Sequence, residues 1–219
     1  MTKNGETPRI RYDEGCLAAH ALNVIGDRWA LLVARELMLT PKRFQAIRAG
    51  LPGITAAVLT QRLGQLAEAG VVQHDAALGI YGLTASGKAL YPVLIALCHW
   101  GNQHPGHDPR RFISPTALMI SMTANVDAQA AQGADLIAGF QSGREGFEMR
   151  LATSGAAEVQ AVAQPAGDFR LHGDGNALAY AVYGPMPLTH WLDRGTIGLT
   201  GDLDKAQRFI DLFSLRRDG

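Results

Sequence analysis

Between Ile54 and Gly70 (ITAAVLTQRLGQLAEAG) apolar residues recur at three- and four-residue spacing. Val58, Leu59, Leu63, Leu66 and Ala67 make one stripe, which predicts a short amphipathic helix. Thr55 stands where an N-cap hydroxyl accepts from a backbone N–H one turn on, and Gly70 stands where a left-handed glycine closes a helix. The other face carries Ala56, Ala57, Thr60, Gln61, Gly64, Gln65 and Glu68. It is small, polar and almost uncharged in its first turns, so it can lie close against another surface.

The same period organises the chain before it. Residues 1–14 are a polar arm. A first helix spans Cys16–Ile25 with Leu17, Ala21, Val24 and Ile25 on one side, and Gly26 breaks it. Asp27 caps a second helix, Arg28–Leu39, with Trp29, Leu32, Val33 and Leu37 pointing inward; Thr40-Pro41 ends it, since proline disfavours helical backbone at the preceding residue. A third helix, Lys42–Ala49, is anchored by Phe44 and Ile47, and Gly50–Gly53 turns the chain into the helix described above. Helix, short glycine-bearing turn and second helix is the helix-turn-helix pattern, whose second helix enters the DNA major groove. Val71–His74 and Ile80–Leu83 then read as a hairpin around Asp75–Gly79, a wing. Thr84 caps a long helix, Ala85–Gln103, carrying Leu90, Val93, Leu94, Leu97 and Trp100, with a kink expected at Pro92.

Beyond a Pro/Gly-rich charged stretch, residues 101–115, the period changes. A helix at Thr116–Ala131 precedes short, partly alternating segments at 135–141, 146–152, 158–163 and 168–172, which read as an antiparallel meander. Helices at 176–183 and 188–194, a strand at 196–200 and a closing helix at 203–213 follow.

Composition changes this picture in one respect. The formal net charge of +0 argues against a nucleic-acid binder, but residues 1–105 hold ten Lys+Arg against seven Asp+Glu and the remainder ten against thirteen. A mildly basic first half and an acidic second half suit a DNA-reading module joined to a sensor module. Two cysteines make no disulfide framework, the first residues lack the apolar core of a signal peptide, and the apolar run near Pro92–Leu97 is too short to span a bilayer. These features predict a cytoplasmic protein with reduced thiols.

CLAAHALNVIGDRWALLVARELM, then RF, LPGIT..VLTQRLGQLAEAGVV, YGLTASGKAL and HWG, together resemble the HxlR-type (MarR-like) winged helix-turn-helix transcriptional regulators over about residues 12–104. The resemblance implies a dimeric DNA-binding protein paired mainly through the first and last helices of the domain. Ala56 and Ala57 stand where family members usually carry a lysine or another polar residue, and the wing, QHDAALGIYG, lacks the family's Lys and Arg. Fewer phosphate contacts mean weaker, less salt-dependent binding. The expected DNA-facing set is Thr55, Ala56, Ala57, Thr60, Gln61 and Arg62, with Arg28, Lys42, Arg43 and Arg48 as backbone contacts, the last three equally readable as plain solvated surface.

The second half, through D-F-R-L-H-G-D, W-L-D-R-G and I-G-L-T-G-D, resembles sterol-carrier-protein-type domains over roughly residues 116–214. That implies an α/β sandwich with an apolar cavity for a small hydrophobic effector. Met119, Met122, Phe140, Phe147, Met149, Phe169, Tyr180, Tyr183 and Trp191 are its candidate lining; each is more often ordinary core in a domain of this size.

The expected organisation is thus α+β: arm 1–14, winged helix-turn-helix 15–104, linker 105–115, and a sterol-carrier-like unit 116–219 with an antiparallel sheet. Cys16, opening the first helix, is a redox candidate, although Asp13 and Glu14 oppose thiolate formation. His99, His104 and His107 lie close in sequence without metal-ligand spacing, and no catalytic motif is present, so no metal, cofactor or enzymatic activity is expected. The rival reading is a lipid- or small-molecule-binding protein whose helix-turn-helix is a dimerisation scaffold.

Overall fold

The computed structural model describes residues 11–215; the expected arm at 1–14 lies mostly outside them. The chain opens with α1 (Leu17–Ile25), α2 (Ala30–Glu36), β1 (Lys42–Arg43), α3 (Phe44–Ala49) and α4 (Ala56–Glu68). β2 (Val72–Asp75), β3 (Ile80–Leu83), α5 (Ala85–Lys88) and α6 (Tyr91–Gln103) complete its first half.

α4 forms where its period places it. Thr55 Oγ1 accepts from the Val58 N–H at 3.3 Å, Leu59, Leu63 and Leu66 are buried, and Gly70 takes φ +69°. Burying each of these leucines contributes about 1.5–3 kcal/mol of transfer free energy. Ala67, expected in the stripe, is exposed instead. α4 packs with Val33, Ala34, Ile47, Leu51 and Val71 in one apolar cluster.

Three local expectations need correction. Lys42 and Arg43 do not begin a helix: they form β1, opposite Tyr81 and Ile80 of β3, in a sheet of order β1-β3-β2. The helix expected over 85–103 is not one kinked helix. α5 stops at Lys88 and α6 restarts at Tyr91, because the Pro92 ring would clash with the carbonyl four residues back and is tolerated in a first turn. On α1, Leu17 is 86% exposed and Ala21 is exposed, whereas Ala19 and Ile25 are buried. Gly87 is required by close approach: a Cβ there would lie 2.2 Å from the Val71 carbonyl oxygen. Thr84 ties this corner together, accepting from the Gly87 N–H at 3.1 Å and donating to the Gly70 carbonyl at 2.6 Å.

The second half comprises α7 (Pro115–Ala124), β4 (Leu136–Ser142), β5 (Glu145–Leu151), β6 (Ala157–Val162), β7 (Phe169–His172), α8 (Gly175–Tyr183), α9 (Leu188–Asp193), β8 (Gly198–Gly201) and α10 (Leu203–Ile210). α7 ends earlier than expected, and Asp127 Oδ1 turns the chain by accepting from the Gln129 and Ala130 N–H groups. β4, β5 and β6 form the antiparallel meander, but β7 joins the free edge of β4 in parallel, giving the order β6-β5-β4-β7-β8. The sheet is therefore mixed. Gly167, at φ +140°, makes this insertion possible; a Cβ there would sit 2.3 Å from the Ile137 carbonyl oxygen. Ala138, Phe140, Phe147, Met149, Leu151, Phe169 and Leu171 share one sheet face and pack with Leu118, Met122, Leu178, Ala206 and Phe209 from the helices. No helix among the described residues is long and apolar enough to cross a membrane.

Candidate nucleic-acid interface

The turn Gly50–Gly53 and the buried stripe of α4 leave the opposite side of its first turns uncovered. Thr55, Ala56, Ala57, Thr60, Gln61 and Gly64 are all exposed. The surface offers alanine and threonine methyls, two hydroxyls and a carboxamide, with no charge of its own. Such groups can approach base edges closely: a glutamine amide can pair with adenine, and alanine or threonine methyls can meet a thymine methyl.

Arg62 does not belong to that face. Its Nε lies 2.7 Å from Asp27 Oδ1, its guanidinium also contacts Gln65, and its side chain is only 14% exposed. It fastens α4 to the start of α2. Asp27 serves both ends of this joint, since the same Oδ1 accepts from the Trp29 N–H at 3.0 Å.

Among the expected backbone contacts, Arg28, Arg43 and Arg48 are exposed. Arg28 lies 5.5 Å from the Trp29 ring centroid. Arg43 runs beside the wing turn, where a Cβ on Gly79 would meet its guanidinium at 3.4 Å. It therefore supplies a cation beside a wing that has none. Lys42 is the correction: it is 5% exposed, with Nζ 3.3 Å from Glu36, 2.9 Å from Thr116 and 3.0 Å from both Glu145 oxygens. An ammonium held this way is unavailable to a phosphate. The partners lie as far as 103 residues along the chain, and no local pattern marks them.

In the second half, Met119, Met122, Phe140, Phe147, Met149 and Phe169 are each at most 2% exposed and interlock as core, so they are packing residues rather than a cavity wall. Tyr180 stacks on Trp191 at 5.8 Å, and its hydroxyl donates to the Arg110 carbonyl at 3.4 Å. The Tyr183 hydroxyl shares a 3.0 Å hydrogen bond with Ser121, and burial pushes its pKa well above the ordinary tyrosine value. Tyr183 is the one expected lining residue that borders an open depression of about 300 Å³, with Met186, Gln207, Ile210 and Phe213 among its other walls.

Cys16 is exposed at the N-cap of α1. Cys98 is half-buried on α6, and desolvation raises its thiol pKa despite the nearby Arg35. His104 packs against the Trp100 ring at 4.8 Å. No group of three His, Cys, Asp or Glu side chains that could hold a metal occurs among the described residues.

Comparison with known proteins falls on the same segment. A family model described as HxlR-like helix-turn-helix matches residues 24–109. An uncharacterized HTH-type transcriptional regulator of Synechocystis sp. is 33% identical over 107 residues, covering 47% of this chain and 79% of that protein. One from Methanothermobacter thermautotrophicus is 34% identical over 97 residues, covering 42% and 74%. Among solved structures, quinone-bound YodB from B. subtilis shares 33% identity over 40% of this chain and 97% of its own, at a TM-score of 0.37.

Proposed function

This chain belongs to the HxlR-like helix-turn-helix family, and from that premise we propose that it is a DNA-binding transcriptional regulator acting as a homodimer in the cytoplasm. The observation that carries the reading is the exposed, uncharged first half of α4, capped by Thr55 and held from behind by Arg62. Thr60 and Gln61 read bases, Ala56 and Ala57 allow close approach, and Arg28, Arg43 and Arg48 meet phosphates. Pairing is supported by apolar side chains left exposed on α1 and α6: Leu17, Leu22, Val93, Leu97 and Trp100. Two copies joined there would present their α4 helices to a pseudo-palindromic site.

Residues 116–219 are the regulatory unit in this proposal, a sterol-carrier-like fold carried by the mixed sheet and its helices. A small hydrophobic effector is the input to this unit in the proposal, and the six deepest of its expected lining residues stand as packed core. The alternative input is thiol-based, through Cys16, whose exposure favours it.

Selection of the full chain on random duplexes, at about 50 and about 200 mM salt, tests the reading. An inverted repeat should be enriched, with half-sites about one helical turn apart. Gln61→Ala should relax the preference within each half-site. Failure to enrich any sequence at either salt would refute it.

A further inference from the structure

A cluster of buried polar and charged side chains joins the two halves. Glu36, on α2, is 0% exposed, and Ser114 and Thr116, at the start of α7, are 2% and 0% exposed. Ser114 Oγ donates to Glu36 Oε1 at 2.6 Å while accepting from the Ala117 N–H at 3.1 Å, so the N-cap of α7 is anchored on a side chain of the helix-turn-helix. Lys42 Nζ bridges Glu36 at 3.3 Å to Glu145 at 3.0 Å and also reaches Thr116 at 2.9 Å. Arg35 closes the cluster, donating to Glu36 Oε1 at 2.8 Å and to the Gly50 carbonyl at 3.2 Å. Two cations therefore face two carboxylates, and each carboxylate oxygen has a partner.

The elements carrying these groups matter as much as the bonds. Lys42 lies in β1, hydrogen-bonded to the wing strand β3. Gly50, on which both Arg35 and Glu36 rest, opens the turn into α4; a Cβ there would lie 2.2 Å from Glu36 Oε2. Glu145 begins β5, at the tip of the β4–β5 hairpin. One cluster thus touches the wing, the turn before α4, the N-terminus of α7 and the sheet of the second half. Buried ionic groups stabilise little against apolar replacements, but they penalise any geometry that separates them.

We propose that the Glu36–Lys42–Glu145 cluster, with Ser114 and Thr116, is the joint through which the C-terminal unit sets the position of the wing and of the turn before α4. A shift of the β4–β5 hairpin or of α7 must move Lys42 or strand a buried charge, and Lys42 takes β1 and the wing with it. Regulation by this route rests on the DNA-binding reading given above; the mechanical coupling does not.

Hydrogen exchange on the full chain separates the two. Glu145→Ala alters the C-terminal side alone. It should raise exchange of the β3 amides, residues 80–83, tenfold or more, while the far end of β5, residues 149–151, stays within twofold of wild type. Thr116→Val, which keeps the side-chain shape and removes the hydroxyl that accepts from Lys42 and donates to Glu145, should raise β3 exchange by a smaller factor. Glu158→Gln, at an exposed position of β6, is the control. Unchanged β3 exchange in both Glu145→Ala and Thr116→Val overturns the joint. A duplex recovered by selection then gives the functional arm: Glu145→Ala should change its Kd at least fivefold, and an unchanged Kd overturns the proposal. If the wild-type chain selects no duplex, the DNA-binding reading falls, and the exchange result still decides the joint.

Discussion

Replacing Lys42 by methionine separates a buried structural lysine from a surface phosphate contact. Methionine keeps most of the alkyl length and removes the ammonium, so packing changes little and the charge is what is lost. With the ammonium go contacts to Glu36 at 3.3 Å, Thr116 at 2.9 Å and Glu145 at 3.0 Å. Breaking a buried pair by removing one partner costs about 3–5 kcal/mol, because the other charge stays buried and under-compensated. Glu36 retains Arg35 and Ser114, and the Glu145 side chain is 29% exposed and can turn to water, which places the loss at the low end, about 3 kcal/mol. At a urea m-value of about 2 kcal/mol/M, the unfolding midpoint should fall by about 1.5 M. Urea titration followed by tryptophan fluorescence reads it directly. A midpoint within about 0.25 M of wild type, together with a salt slope for DNA binding reduced by about one, would be the signature of a solvated phosphate contact and would refute the buried assignment.

Other outcomes follow from the same geometry. Thr55→Ala removes the hydroxyl that accepts from Val58 and should cost about 1 kcal/mol, measurable as a lower midpoint; serine at this position should restore it. Arg62→Ala breaks the half-buried pair with Asp27 and should cost about 1–2 kcal/mol. Because Arg62 positions α4 rather than reading bases, its loss should weaken binding to every duplex alike, and a change in preferred sequence would show that it contacts bases. Asp168 accepts from Lys205 at 2.9 Å and from the Ile137 N–H at 3.0 Å, and these bonds hold its pKa below the ordinary carboxylate value. A lowered pKa stabilises the fold at pH above the unfolded value near 4, and that contribution is lost as pH falls through the folded value. Midpoints of wild type and Asp168→Asn should therefore converge as pH drops below about 4; parallel curves down to about pH 2 would contradict the assignment. Tyr183 works in the opposite direction: burial raises its pKa, so its contribution is present below the unfolded value near 10 and lost as pH rises above it, and Tyr183→Phe should flatten that alkaline decline in a pH series of unfolding midpoints.

Much of the helix-turn-helix was legible because its signals act over a few residues. The cap at Thr55, the leucine stripe, the left-handed Gly70, the Thr84 cap and the wing hairpin are each decided by groups within one or two turns of chain. The strands of the second half were legible for the same reason, and so was the exposure of Thr55, Ala56, Ala57, Thr60 and Gln61 on one side of α4. Tertiary structure decided which charges are buried. Lys42 and Arg43 are adjacent and alike in sequence, yet one faces Glu145 and the other lies beside Gly79 at the wing. Arg62 has the helix position of a groove residue, but Asp27, 35 positions earlier, holds its guanidinium. The parallel insertion of β7 beside β4, and the packing of Met119, Phe140 and Phe147 into core instead of a cavity wall, were likewise settled by which distant surfaces meet. Helical period and capping are local free energies, whereas the fate of a charge or an apolar face depends on the partner the fold brings to it.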